Sequence, residues 1–335
     1  MLNIRQEVQL IPYNTFGVPA IASVFVEADH AVELAAFVQS FPDSSAVLVL
    51  GGGSNVLLAS EHYDVVIRPV MKGIKVISET DDYVLVRAGA GEVWDDFVCW
   101  CVNHHYAGVE NLSNIPGTVG ACPVQNIGAY GVEAKDVIKT VEAIEQTTGK
   151  TVAFNNRQCG FDYRDSFFKK NRGKFIITAV RFKLSKHFEP NMKYAGLETE
   201  LSSHTPVTIE NVRQAVINIR SRKLPDSEKL GNAGSFFKNP TIDAGKMNEI
   251  NQMYPQAPLH PVSHGTWKIS AAWMIQQCGW KGVRVGNVGV HSLQPLVIVN
   301  YGGATGKEIL NFARKIIESV NNQFGIELEP EVNII

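Results

Sequence analysis

Between Asn111 and Val132 the chain runs for 22 residues, NLSNIPGTVGACPVQNIGAYGV, without a single charged side chain. That length would suit a buried helix or a membrane span. Gly117, Gly120, Gly128 and Gly131, with Pro116 and Pro123, break any continuous helix. Asn111, Ser113, Asn114, Thr118, Gln125 and Asn126 supply neutral hydrogen-bond donors and acceptors. The apolar content opposes disorder, and long irregular segments inside compact domains are commonly functional. The segment therefore reads as a loop fitted closely around a large, flat, partly polar ligand. A buried structural loop is the plainer alternative.

Composition narrows the class. The chain has 335 residues, 45% hydrophobic and 19% charged, as ordinary soluble proteins do. Lys+Arg is 31 against Asp+Glu 33, so no basic excess marks a general nucleic-acid binder. Five cysteines, an odd and sparse set, do not make a disulfide framework, and a reducing cytoplasm is expected. The first fifteen residues lack the apolar core of a signal peptide. No run approaches the roughly 18 to 20 apolar residues of a membrane helix.

Periodicity and punctuation predict mixed elements. Strands are expected at Ala46–Leu50, Tyr63–Arg68, Ile74–Ile77, Tyr83–Arg87 and Phe175–Leu184, with a hairpin joining Val141–Glu145 to Thr151–Phe154. Asp29 would cap a helix presenting Ala31, Leu34, Phe37 and Val38. Glu92–His104 reads as helix with Val93, Phe97, Trp100 and Cys101 on one side. Asn211–Arg222 and Ile269–Gln277 are also helical, and Thr305 with Glu308 forms a capping box ahead of a helix that Gly325 ends. Neither strict βαβ alternation nor heptads occur, which makes the fold α+β.

Several motifs are weak alone. Gly51-Gly52-Gly53-Ser54-Asn55, after a buried strand, can form an anion nest or a plain turn. Val56 replaces the last glycine of a dinucleotide fingerprint, and no Gly-Lys-Ser/Thr follows. Gly306-Lys307 is explained by the helix cap. Tyr163-Arg164-Asp165-Ser166 reads as a surface turn with a local Arg–Asp pair. Arg220, Arg222 and Lys223 precede GNAGSFFKNP (231–240), where Ser235 suits a turn as well as a catalyst. Cys99 and Cys101 share no helix face, and Pro261 separates His260 from His264, so no metal centre is expected. Leu328-Glu-Pro-Glu-Val332 reads as a strand entry with exposed acids.

Together these segments carry a specific resemblance. VLGGGSNVLL (49–58), GVENLSNIPGTVGACPVQNIGAYGVE (108–133), YRDS (163–166), KLPD (223–226), GNAGSFFKNP and LEPEV, in this order, resemble the UDP-N-acetylenolpyruvoylglucosamine reductases. These flavoenzymes complete UDP-N-acetylmuramate in bacterial peptidoglycan synthesis. The resemblance spans nearly the whole chain. It implies a two-lobed FAD-binding domain of the vanillyl-alcohol-oxidase type and a C-terminal α+β substrate domain. The expected division is 1–70, 71–205 and 206–325, with the tail 326–335 returning near the first lobe. Asn14-Thr15-Phe16 resembles the family's entry into that lobe.

The resemblance places non-covalent FAD against Gly51, Gly52, Gly53, Ser54 and Asn55. The loop would add Asn111, Ile115, Pro116, Gly117, Thr118, Gly120 and Ala121, then Gln125, Asn126, Gly128, Ala129, Tyr130 and Gly131. NADPH would be the hydride donor, and flavin N5 would pass hydride to the enolpyruvyl β-carbon. Ser235 would protonate the carbon bearing the carboxylate, with Arg164 and Glu331 around that carboxylate. Lys223 and Asn239 match diphosphate contacts and Tyr194 the uridine-side tyrosine, with Tyr163 and Gln294 lining the cleft. Lys238 would face the anionic substrate, and Cys122 would fill the cofactor loop. His260 stands where a tyrosine is expected, so it is left out of the core site. A UDP-sugar is the implied partner, with no nucleic acid, no membrane and no obligate protein partner, and a monomer is expected. Two competing readings are a flavin oxidase with another substrate and a non-catalytic nucleotide-binding protein; substrate-dependent NADPH consumption and a yellow colour separate them.

Overall fold

A computed structural model describes the chain over residues 2–40, 47–192, 194–262 and 265–335. Its packing separates two units, each assembled from discontinuous segments. Unit 1 comprises Met1–Val8, Ile21–Gly53 and His62–Arg222; unit 2 comprises Gln9–Ala20, Ser54–Glu61 and Lys223–Ile335.

Among the described residues, unit 1 holds two larger sheets and a two-stranded one that pairs Gly128–Ala129 with Val132–Glu133. In the first, the strands lie in the order Leu2–Gln9, Ile21–Ala28, His62–Pro69, Val47–Val49, and the last three pair in parallel. The second is antiparallel, in the order Thr151–Asn155, Ile138–Glu145, Phe175–Ser185, Tyr83–Gly89, Ile74–Glu79. The hairpin appears as expected, with Val141 opposite Phe154. Helix α1 (Ala31–Val38) buries Leu34 and Val38 among Val26, Val65 and Ile67. Its N-cap is His30, not Asp29, whose carboxylate instead contacts His30 Nδ1 at 2.8 Å.

Helix α2 (Trp94–Asn103) is rotated from the expected face. Trp94, Phe97, Val98, Cys101 and Val102 are buried, whereas Val93 serves as N-cap and is 43% exposed. The cause is that the indole N–H of Trp94 donates to the Leu112 carbonyl at 2.8 Å, which lets the largest side chain turn inward at no polar cost. After α3 (Phe167–Lys170) and α4 (Ala195–Leu201), helix α5 (Ile209–Lys223) packs Val212, Ala215, Val216 and Ile219 against Leu197 and Leu201. That is the stripe its spacing predicts.

Unit 2 has an antiparallel sheet in the order Gly231–Ser235, Val297–Asn300, Val288–Val290, Arg284–Val285. A second runs Thr241–Asp243, Thr266–Ile269, Leu259–Pro261. Helix α6 (Ala244–Met253) is capped by Asp243, and α7 (Ala271–Gln277) by the Ser270 hydroxyl, so Ile269 ends a strand rather than starting a helix. Helix α8 (Gly306–Phe324) shows the expected Thr305/Glu308 capping box and a left-handed Gly325, φ +62°. A Cβ at Gly306 would strike the Leu58 carbonyl, which accounts for the glycine without any phosphate.

The N-terminal segment belongs with this second unit. Asn14, 5% exposed, donates through Nδ2 to the carbonyls of Leu10 and Val18 and accepts the Val18 N–H at 3.0 Å. The carbonyl of Thr15 accepts from Asn232 N–H at 3.0 Å, and that of Phe16 from Asn300 Nδ2 at 2.9 Å. The Asn14-Thr15-Phe16 triplet thus braces the strand that ends in Ser235. The strand Asn333–Ile334 of the tail pairs in parallel with Val56–Leu57.

Candidate active site

In unit 1 the glycine turn and the uncharged loop meet. A Cβ at Gly52 would stand 2.9 Å from Gly117 Cα, and one at Gly51 would stand 2.9 Å from Thr118 Oγ1. Only glycine permits this backbone-to-backbone approach. The loop is fixed from behind: Trp94 N–H donates to the Gly117 carbonyl at 3.0 Å and Gly120 N–H to the Ala90 carbonyl at 2.9 Å. Gly53 is buried, Ile115, Ala121, Gln125 and Ala129 are half-buried, and Pro116 and Gly131 are exposed.

Two asparagines of the loop differ. Asn126 is spent on the protein. Its Nδ2 donates to Glu133 Oε2 and the Asp162 carbonyl, both at 3.0 Å, and its Oδ1 accepts Lys135 N–H at 2.9 Å. Asn111 donates to the carbonyls of Tyr130 (2.9 Å) and Asn191 (3.0 Å), but its Oδ1 is buried with no hydrogen-bond partner among the described residues. A buried unsatisfied acceptor costs about 1–3 kcal/mol unless a donor arrives. FAD carries hydroxyl and ring N–H donors, so the residues present fit that group. Cys122, fully enclosed, has its thiol pushed well above the ordinary value by burial, which makes it an inert filler.

Arg164 projects from a tight turn whose carbonyls and N–H groups close Asp162 onto Asp165 at 3.0 and 3.2 Å. It is a non-glycine residue at φ +53°. Its guanidinium donates to the Gly128 carbonyl and lies over the Tyr163 ring, 5.2 Å from the centroid. Asp165 pairs with Lys170 at 3.0 Å. Tyr194 meets Tyr130 edge to face, with centroids 4.9 Å apart. Lys223 ends α5.

In unit 2, Ser235 follows a bulge. Asn232 is opposite Val299, but Ser235 is opposite Val297, so the serine strand holds one extra residue. Gly234 takes it up at φ +70°, its N–H held by Asn232 Oδ1 at 2.9 Å. Bulges re-aim side chains next to functional sites. The Ser235 hydroxyl has no hydrogen-bond partner among the described residues.

The LEPEV segment pairs directly beyond that serine. Phe236 O accepts Glu331 N–H at 2.7 Å, Phe237 bridges Pro330, and Lys238 N–H donates to the Glu329 carbonyl at 2.9 Å. The tail therefore lies along the serine strand before it enters the strand Asn333–Ile334, with Glu329 exposed as the strand-entry reading expects. Asn55 adds a tie that the sequence did not suggest: its Nδ2 donates to the Glu331 carbonyl at 3.3 Å and its own carbonyl accepts Asn333 N–H at 3.0 Å. With Ser54 it belongs to unit 2, so the glycine motif straddles the two units. Lys238 pairs with Glu329 at 3.1 Å. Asn239 Oδ1 accepts Ala271 N–H at 3.0 Å, which fixes its amide and leaves the Nδ2 donor unused among the described residues. Gln294 occupies the turn before Val297–Asn300. His260 is an exposed strand residue opposite Lys268; His264 lies outside the described residues. Among the described residues, no cluster of His, Cys, Asp or Glu is placed to hold a metal, and no helix is long and apolar enough to cross a membrane.

The FAD binding domain family matches residues 22–155, which include the glycine turn and the uncharged loop. The fold and this site define a flavin-dependent oxidoreductase with FAD as its cofactor. The C-terminal domain family of UDP-N-acetylenolpyruvoylglucosamine reductase matches residues 225–335. The reductase of that name from Bacteroides fragilis is 44% identical over 333 residues, covering 99% of this chain and 100% of its own. That from Pseudomonas putida is 44% identical over 334 residues, covering 98% of each. The chain belongs to the UDP-N-acetylenolpyruvoylglucosamine reductase family. A crystal structure of the Thermus caldophilus reductase shares the fold, with a TM-score of 0.68 at 24% identity over 100% of this chain and 99% of that one.

Proposed function

We propose that the chain reduces the enolpyruvyl double bond of UDP-N-acetylglucosamine enolpyruvate to give UDP-N-acetylmuramate, with NADPH as hydride donor, in peptidoglycan synthesis. The observation that carries this reading is the pairing of the serine strand with the acidic tail, which brings the backbone of Glu331 to the residue after Ser235. FAD, held without a covalent bond, supplies the two-electron relay between NADPH and the double bond.

Ser235 donates the proton to the substrate carbon that bears the carboxylate. A serine is a weak acid, but an enolate-like carbon is a strong base, so the hydroxyl needs only reach and orientation. The bulge at Gly234 aims it, and no protein acceptor competes for its proton among the described residues. Arg164 offers a planar fork to the substrate carboxylate. Its positive φ is the kind of backbone strain that persists at functional positions. Glu331 acts at the developing oxyanion, either protonated or through a bridging donor. Lys223 and Asn239 take the diphosphate and Tyr194 the uridine side, with Tyr163 and Gln294 as further substrate contacts. The division into lobes 1–70, 71–205 and 206–325, a cytoplasmic location and a monomeric state complete the reading.

The test is direct. Purified protein should be yellow and should oxidise NADPH at a rate set by added UDP-N-acetylglucosamine enolpyruvate. NADPH oxidation indifferent to that substrate would refute the proposal.

A further inference from the structure

Helix α5 carries three arginines with different surroundings. Arg213 forms a two-pronged pair with Asp95, Nη1 to Oδ1 at 2.7 Å and Nη2 to Oδ2 at 2.8 Å. Arg222 pairs with Glu200. Arg220 instead reaches the uncharged loop: its Nε–H donates to the Asn114 carbonyl at 3.0 Å, and it faces the Tyr130 hydroxyl. Among the described residues no carboxylate lies within ion-pair distance of it.

The loop is built to receive this group. Asn114 and Tyr130 both hold positive φ, +56° and +49°, and Asn111 Nδ2 donates to the Tyr130 carbonyl at 2.9 Å. Asp95 accepts the Asn114 N–H, so Arg213, Asp95, Asn114 and Arg220 form one continuous chain of contacts. Burial lowers the Arg220 pKa, the repulsion of Arg164 adds to that, and Tyr130 and Asp95 oppose it. The negative pole at the end of α5 favours a cation there. This half-buried guanidinium, hydrogen-bonded to neutral groups, has no anion beside it among the described residues.

We infer that Arg220 is the charge-stabilising residue of the cofactor site, its guanidinium offsetting the negative charge that bound FAD gains on two-electron reduction. The inference rests on the assignment of the 111–131 loop to FAD. Hydride transfer would bring two electrons and one proton and leave the reduced ring as an anion, and a fixed cation facing it would remove the need to take up a second proton. Arg220 therefore favours the reduced form over the oxidised one and raises the flavin potential.

Two variants separate charge from hydrogen bonding. Arg220→Gln keeps hydrogen-bonding capacity without charge; Arg220→Lys keeps the charge. The midpoint potential is measured by dye equilibration and FAD affinity by flavin fluorescence. Arg220→Gln should weaken binding of reduced FAD about tenfold relative to oxidised FAD, a fall of about 30 mV for a two-electron couple, while Arg220→Lys keeps the wild-type potential. An unchanged potential in Arg220→Gln overturns the inference. If FAD affinity falls without it, Arg220 is only a clamp; if the substrate KM alone rises, the cation serves the substrate. Should Arg220→Gln fail to hold FAD, Arg220→His decides: its potential must rise more steeply than wild type below about pH 6.5, where imidazole charges, and a wild-type slope overturns the inference. Wild-type protein unable to bind FAD would instead refute the loop assignment.

Discussion

The main-chain N–H of Glu331 donates to the carbonyl of Phe236 at 2.7 Å, which pairs the acidic tail to the residue immediately after Ser235. The bond is backbone to backbone, as is the neighbouring one from Lys238 N–H to the Glu329 carbonyl at 2.9 Å. Side-chain substitutions at Ser235 and Glu331 therefore leave the pairing in place, and their effects report on chemistry.

Ser235→Ala should keep its thermal stability, because the hydroxyl has no protein partner among the described residues. NADPH should still bleach the flavin at the wild-type rate. Reoxidation by the enolpyruvyl substrate should slow by roughly 10²–10⁴, the usual worth of a positioned general acid. Stopped-flow absorbance separates the two phases, and wild-type reoxidation would remove Ser235 from the mechanism.

Gly52→Ala places a methyl group 2.9 Å from Gly117 Cα, a backbone atom that cannot swing aside. Forced separation of the two segments should cost about 1–3 kcal/mol and reduce FAD occupancy. The absorbance ratio of flavin to protein and a melting curve test both effects together. A variant with full FAD content would show that the close approach is not needed.

Burial works against the Asp95 carboxylate, but Arg213 and the Asn114 N–H hold its pKa below the ordinary value of 3.8. A depressed folded pKa gives stability that is present above the unfolded value and lost as pH falls through the folded one. Asp95→Asn should therefore destabilise by about 1–3 kcal/mol near pH 7. The difference from wild type should close in acid below the unfolded value. Denaturant melts at several pH values would show a constant gap if this account is wrong.

Glu110 behaves in the opposite sense. It is 4% exposed, and burial lifts its carboxyl above the ordinary 4.5 despite the Gly108 N–H at 2.7 Å. With a raised folded pKa, stability is full below the unfolded value and falls as pH rises through the folded one. Glu110→Gln keeps an acceptor for Gly108 and cannot ionise. Its melting temperature should exceed that of wild type at pH 8, with the advantage vanishing below about pH 4. A lower melting temperature at pH 8 would overturn this.

Much of this was legible locally. The Thr305/Glu308 box and Gly325 close hydrogen bonds within one helical turn, and the α5 stripe follows from period alone. The lack of charge between Asn111 and Val132 marked a segment that lies within the match to the FAD binding domain. Misreadings arose where distant partners decide. His30 displaced Asp29 as cap, and the Trp94 indole found Leu112 and turned α2. Arg220 stood in a basic run with Arg222 and Lys223, and nothing in the run showed that Arg222 would pair with Glu200 while Arg220 has no carboxylate within ion-pair distance among the described residues.

The sequence by itself determined most element types, the Thr305/Glu308 and Gly325 ends of α8, and the glycine positions, because these depend on φ preferences and bonds spanning a few residues. Tertiary structure alone decided that Gly52 meets Gly117, that the Thr15 carbonyl braces the strand ending in Ser235, and that Glu331 pairs beside Ser235. Those relationships exist only once the chain returns on itself and buried backbone groups find distant partners. Each such N–H and carbonyl must be satisfied, and which partner satisfies it is a property of the whole packing.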